Sequence, residues 1–147
     1  MKIAEFLAPG NVLTEVRAAD KIRLLHDLSM RAAAALGIDG DVVAEALIRR
    51  ERLGSTGVGG GVAIPHARLA AIRKPFGLMA RLKKPIDFEA IDGQPVDLVF
   101  VLLLPAAASD GPLNALASAA RRLREPETLR ALREGADPAA LFQCVTG

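Results

Sequence analysis

Val96-Asp97-Leu98-Val99-Phe100-Val101-Leu102-Leu103-Leu104 is apolar at every position but one. Such continuity suits a strand covered on both faces, since a half-exposed strand alternates with polar residues. The run is far too short to cross a membrane, which takes about 20 residues. Asp92-Gly93 precedes it as a turn signal. Before that turn, Phe76, Leu78, Ala80 and Leu82 alternate with Gly77, Met79 and Arg81, the pattern of a half-buried strand.

Helical patterns lie on either side of these strands. In Asp20–Leu36 the residues Ile22, Leu25, Ala32, Ala33 and Leu36 gather on one side at about 100° per residue. Asp20 can cap the start and Gly37 can close the end. A second helix fits Asp41–Leu53, with Gly54 after it. Helices resume at Leu113–Arg124, Pro126–Glu134 and Pro138–Cys144, and Pro126 suits a first helical turn. Strands in the middle with helices on both sides predict an α/β sandwich, a central mixed β-sheet flanked by helices on both faces. No repeat, low-complexity segment or linker divides the chain, so residues 1–147 are expected to form a single domain.

Composition narrows the function classes. Apolar residues make up 51% and aromatics 3%, with no Trp or Tyr, which describes a soluble chain with an aliphatic core. A single cysteine, Cys144, excludes an internal disulfide and a multi-cysteine metal site. Two histidines and that cysteine make a structural zinc site improbable, and neither a metal nor another cofactor is expected. The net charge of +2, with a pI near 9.0, gives no concentrated basic surface for nucleic acid. Few aromatics also argue against base stacking. The N-terminus, Met1-Lys2-Ile3-Ala4-Glu5-Phe6, lacks the apolar stretch of a secretory signal. A cytoplasmic protein with no nucleic-acid partner and no membrane insertion is the expectation.

Four glycines fall within Gly57–Gly61, interrupted only by Val58. Gly57, Gly59, Gly60 and Gly61 can turn backbone N–H groups inward and form a concavity that favours anions, with Ser55 and Thr56 adding hydroxyls at its entrance. The same glycines serve equally as a turn between a helix and a strand. The spacing is not that of a Walker loop. Ile64-Pro65 holds an extended backbone, so His66 leaves from a constrained position. A neutral imidazole is a nucleophile that needs no activating base, so His66 can accept a phosphoryl group beside an anion-binding backbone. In isolation it would be an ordinary surface histidine.

Projection of Asp41–Leu53 as a helix puts Val42, Val43, Ala44, Ala46, Leu47 and Leu53 on one broad side, with Glu45, Arg49 and Arg52 opposite. Arg50 falls on the apolar side. It either snorkels from the helix end or aims its guanidinium at the loop, ready to stabilise a phosphate. His26, beside Met30 and Ile22, is expected to be a partly buried structural histidine. Asp87, Glu89 and Asp92 cluster near the turn, with nothing to pair them as acid and base.

The run from Arg50 through Gly54-Ser55-Thr56-Gly57 to Ile64-Pro65-His66 resembles the enzyme IIA domains of the phosphoenolpyruvate-dependent sugar phosphotransferase system. The fructose/mannitol group with its nitrogen-regulatory branch is the nearest in pattern. A second block, Pro85–Phe88 through Asp92–Asp97, resembles the same family in order and spacing. The resemblance implies a mixed sheet between helices, and a phosphoryl group taken by His66 from an HPr-like phosphocarrier, with Arg50 at the phosphate site. One departure stands out. Where the family has a second active-site histidine in a His-Leu pair, this chain has Pro112-Leu113, then Asn114, and no histidine follows His66. Asn114 is a possible accessory hydrogen-bond donor.

These residues contain no IIB-like or IIC-like portion, which resembles the stand-alone nitrogen-regulatory branch. The resemblance then implies regulatory partners such as potassium-transport or sensor-kinase proteins. Phosphorylation adds about −1.5 to −2 charge, enough to select partners on a face expected to carry Arg50, Arg52 and Arg68. A sugar-specific IIA component passing phosphate to a separate IIB chain, or a non-catalytic interaction module, are the alternatives.

Overall fold

Strand β6 (Val96–Pro105) is the spine of the computed structural model, which describes residues 1–107 and 110–147, side chains 110–112 excepted. It pairs antiparallel with β5 (Phe76–Ile86). Along its other side it pairs parallel with two short segments in succession, β3 (Val62–Ala63) and β4 (His66–Leu69). β1 (Val12–Val16) extends the sheet parallel to β5, and β2 (Gly57–Gly59) extends it antiparallel to β3. The six-stranded mixed sheet therefore runs β1-β5-β6-β3-β2, with β4 beside β6.

Period-two alternation in β6 divides the core. Val99, Val101 and Leu103 pack with α1 (Lys21–Leu36) and α2 (Gly40–Leu53). Leu98, Phe100, Leu102 and Leu104 pack on the opposite face. There they meet α3 (Asp110–Arg122), α4 (Pro126–Glu134), α5 (Pro138–Thr146) and the 3-10 turn at Ile3–Glu5. Helices on both faces of a mixed sheet are the architecture expected, and the apolar run explains it: each face of β6 has its own cover.

Local signals hold in α1. Asp20 accepts the Arg23 N–H at 2.8 Å, and Gly37 ends the helix at φ 70°. The helix projections hold less well. The buried stripe of α1 is Leu24, Leu25, Leu28, Ser29, Ala32 and Ala33, while Ile22 is 43% exposed at the helix start. His26, expected to be partly buried, is exposed beside Asp27. In α2 the buried stripe narrows to Val43, Ala44, Leu47 and Glu51, leaving Val42 and Leu53 in solvent.

Several features were not anticipated, strands β1 to β4 among them. Edge strand β1 carries an extra residue between Leu13 and Val16, and Glu15 sits there at φ 58°, paired with Lys83 at 2.9 Å. A bulge of this kind blunts an open edge. β5 continues past Leu82 to Ile86, and α3 begins at Asp110 instead of Leu113. The last lies between β3 and β4. Proline has no N–H, so the ladder along β6 is interrupted at Ile64-Pro65. The Ile64 N–H turns aside to the Thr56 carbonyl at 2.9 Å, and the Pro65 carbonyl accepts from Leu102 N–H at 2.9 Å. The register does not slip: Val62 lies opposite Leu98, Ala63 opposite Val99 and His66 opposite Leu102.

Candidate functional site

His66 is the first residue of β4. Ala67 and Leu69 enter the core under α1 and α2, and the alternation turns His66 away from it. Its Nδ1 lies 2.9 Å from the Ile64 carbonyl oxygen. A carbonyl can only accept, so Nδ1 is protonated, and in the neutral ring Nε2 carries the lone pair. Among the described residues no hydrogen-bond partner meets Nε2.

His66 opens on a cleft of about 440 Å³ formed where the end of α2 faces the start of α3. The last turns of α2 bring Arg49, Arg50 and Leu53 to it, β4 brings Arg68, and α3 brings Leu113 and Leu116. The walls are thus apolar and the rim basic. Leu53, 82% exposed, and Leu113, 59% exposed, stand beside the mouth. Arg50 shares the cleft with His66 and donates from Nη1 to the Gly54 carbonyl at 2.9 Å, capping its own helix end. Arg49 pairs with Glu45 one turn back. Among the described residues no carboxylate pairs with Arg50 or Arg68. Arg52, expected on this face, lines a separate groove with Lys21, Ser55 and Glu89, and Arg49 takes its place.

The glycines do something else. Gly59, Gly60 and Gly61 have φ of 101°, 68° and 79° and form the turn of the β2–β3 hairpin. The Gly60 N–H donates to Asp92 at 3.0 Å, its carbonyl accepts from Arg133, and Arg133 pairs with Asp97 at 2.9 Å. The Gly57 N–H donates to Ser55 Oγ at 3.0 Å, and a Cβ at Gly57 would lie 2.7 Å from that of Ala90. Gly61 meets β6 at Asp97 and His66 meets it at Leu102, a separation of roughly 17 Å along a strand. The structure does not bring Gly59, Gly60 or Gly61 to His66, and the Gly57 and Gly60 donors are already engaged. Ser55 and Thr56 also face inward: Ser55 Oγ donates to the Phe88 carbonyl at 2.8 Å, and Thr56 is buried.

Thr56 is bound by a residue that sequence reasoning missed. Glu51 is 5% exposed and accepts the Thr56 N–H at 3.0 Å as well as its hydroxyl. Lys21 meets Glu51 at 3.1 Å and Glu89 at 3.0 Å. Burial pulls the Lys21 ammonium down, but the Glu89 and Glu51 carboxylates outweigh it and hold its pKa above the ordinary value. The only sequence signal was an acidic residue between Arg50 and Arg52. Asn114 is exposed on α3 and does not line the cleft. The Pro112 side chain lies outside the described ones.

Asp92 has a consequence for pH. The Gly60 and Gln94 N–H groups hold its carboxyl below the usual aspartate value. A depressed carboxyl lends its support above the ordinary pKa and loses it as pH falls through the folded one. The Gly60 and Gln94 amide resonances are therefore expected to stay fixed above about pH 5 and to move together below about pH 4. Asp92→Asn should abolish that titration.

Among the described residues no helix is long and apolar enough to cross a membrane, and no group of three or more His, Cys, Asp or Glu suits a metal ion. The family model for the phosphoenolpyruvate-dependent sugar phosphotransferase system, EIIA 2, matches residues 5–146. The chain belongs to this family. It is 46% identical to a nitrogen regulatory protein of Bradyrhizobium diazoefficiens, over 97% of this chain and 93% of that protein. The nitrogen regulatory protein IIA-Ntr of Neisseria meningitidis superposes with a TM-score of 0.92 at 31% identity, covering 98% of this chain and 99% of that one. In the Escherichia coli complex of enzyme IIA and phosphorylated enzyme IIB for mannitol, the matched chain gives a TM-score of 0.75 at 17% identity. That match covers 92% of this chain and 93% of the other, and is a likeness of fold.

Proposed function

We propose that this protein is a regulatory phosphocarrier that accepts a phosphoryl group on His66 Nε2 from an HPr-like carrier. The observation that carries this is the hydrogen bond from Nδ1 to the Ile64 carbonyl, which leaves Nε2 as the nucleophilic nitrogen at an arginine-rimmed cleft. In transfer, the Nε2 lone pair forms the bond to phosphorus, and the bond from phosphorus to the carrier breaks, leaving its electron pair on the carrier. No proton has to move, because Nδ1 keeps its own. Arg50 supports the transferring charge, and the apolar surface of Leu53 and Leu113 meets the carrier. Phosphorylation then changes the charge at the cleft and selects which regulatory partner binds.

Incubation with phosphoenolpyruvate, enzyme I and an HPr-like carrier tests this. Acid-labile, base-stable phosphate is expected on the wild type and absent from His66→Ala. An unlabelled wild type, under conditions that phosphorylate a control IIA protein, would overturn the proposal in favour of a non-catalytic interaction module. Labelling retained by His66→Ala would place the acceptor elsewhere. The module reading has one observation in its favour: no histidine follows His66 to assist it.

A further inference from the structure

We propose that Glu51 is a positioning residue for His66, acting through a file of hydrogen bonds that fixes the tautomer of the imidazole. The inference rests on the phosphocarrier reading for its kinetic meaning, but its geometry stands apart from it. Glu51 accepts the Thr56 N–H at 3.0 Å and the Thr56 hydroxyl. Thr56 in turn offers its carbonyl to the Ile64 N–H at 2.9 Å. Ile64 offers its carbonyl to His66 Nδ1 at 2.9 Å. Each acceptor sits on a residue that the previous bond holds in place.

Ile64 donates its N–H, on the β2 side of the chain, to the Thr56 carbonyl, while the Pro65 carbonyl holds the β6 side through the Leu102 N–H. Thr56 lies between the end of α2 and the start of β2, held on its N-terminal side by the Glu51 carboxylate. A carboxylate is costly to bury unless paired and hydrogen-bonded. Glu51 satisfies this with Lys21 on one side and Thr56 on the other. An apolar residue would fill the same space and leave the file without its anchor. Arg50 and Glu51 are adjacent on α2, so one helix end presents a guanidinium to the cleft and fixes the ring that opens on it.

Two variants separate this from a general effect on stability. Glu51→Met removes every acceptor and the ion pair with Lys21. Glu51→Gln also removes the ionic charge but keeps one oxygen for Thr56. In the full chain labelled with ¹⁵N-histidine, the His66 ring should be the Nδ1–H tautomer in the wild type. It should remain so in Glu51→Gln and give way to a mixture with Nε2–H in Glu51→Met. The maximal rate of phosphate uptake at saturating carrier should fall roughly tenfold in Glu51→Met, as when a group orienting an active ligand is removed, and recover in Glu51→Gln. A folded Glu51→Met with the wild-type tautomer would overturn the proposal. So would equal tautomer loss in both variants, which would assign the effect to the ion pair. Where Glu51→Met does not fold, scalar couplings across the Ile64–Thr56 and His66–Ile64 hydrogen bonds in the wild type decide, and their absence overturns it. A wild type that takes up no phosphate defeats the phosphocarrier reading and leaves the tautomer result to stand alone.

Discussion

Arg50→Ala is expected to slow phosphorylation of His66 about a hundredfold, with His66→Ala abolishing it altogether. A preorganised charged donor at a transition state is worth about 10²–10³ in rate when removed. The lower end applies here, because Arg50 already donates to the Gly54 carbonyl and must give up that bond to reach a phosphoryl oxygen. Neither substitution should endanger the fold. The Arg50 bond is exposed at a helix end. His66 pairs with β6 through its backbone, so its side chain forfeits only the bond to Ile64, about 1 kcal/mol. Initial rates of acid-labile labelling at limiting carrier, with melting curves alongside, check both. Arg50→Lys should fall between, since it keeps the charge and loses the planar fork. A wild-type rate in Arg50→Ala would transfer the electrostatic role to Arg49 and Arg68.

Phe100→Ala is expected to produce the largest loss of stability, about 3–5 kcal/mol, with a fall in melting temperature of about 12 °C. Phe100 lies on the central strand with no exposed surface, and its ring meets that of Phe6 edge-on, centroids 6.2 Å apart. The ring also covers Gly77, where an added Cβ would lie 3.0 Å from it. A glycine cannot fill the hole that truncation opens, and Gly77 is held by its N–H bond to the Phe6 carbonyl at 2.7 Å. The cavity term therefore adds to the lost burial. Urea unfolding measures it, and a loss below about 1 kcal/mol would mean that neighbouring side chains collapse into the space.

The elements visible in the sequence are those whose signals are local. β6 announced itself by continuous apolar character, and α1 by Asp20 and Gly37 at its ends. Helix projection located the inner sides only in part. Ile22 and Val42 satisfy the periodicity, yet they lie near helix starts where no facing element covers them. The glycines show a different limit. Gly59, Gly60 and Gly61 look the same whether they cradle an anion or close a hairpin, and the partners that engage this turn, Asp92 and Arg133, are more than 30 residues away in the sequence. Glu51 was hidden for the same reason, since its burial depends on Lys21 in another helix. His66 and Arg50 were singled out by chemistry, and only the fold could place them at one cleft.

The pairing of β4 with β6 has one more consequence. It delivers His66 to a strand bonded along the central one, at the edge of a cleft whose walls belong to the two cores. A carrier built in this way has no hinge at the atom that records its state. On the phosphocarrier reading, a phosphoryl group on His66 would change the charge at the cleft, so the message is expected to be stored as charge. A partner that reads it must come within about a Debye length, roughly 8 Å at physiological salt.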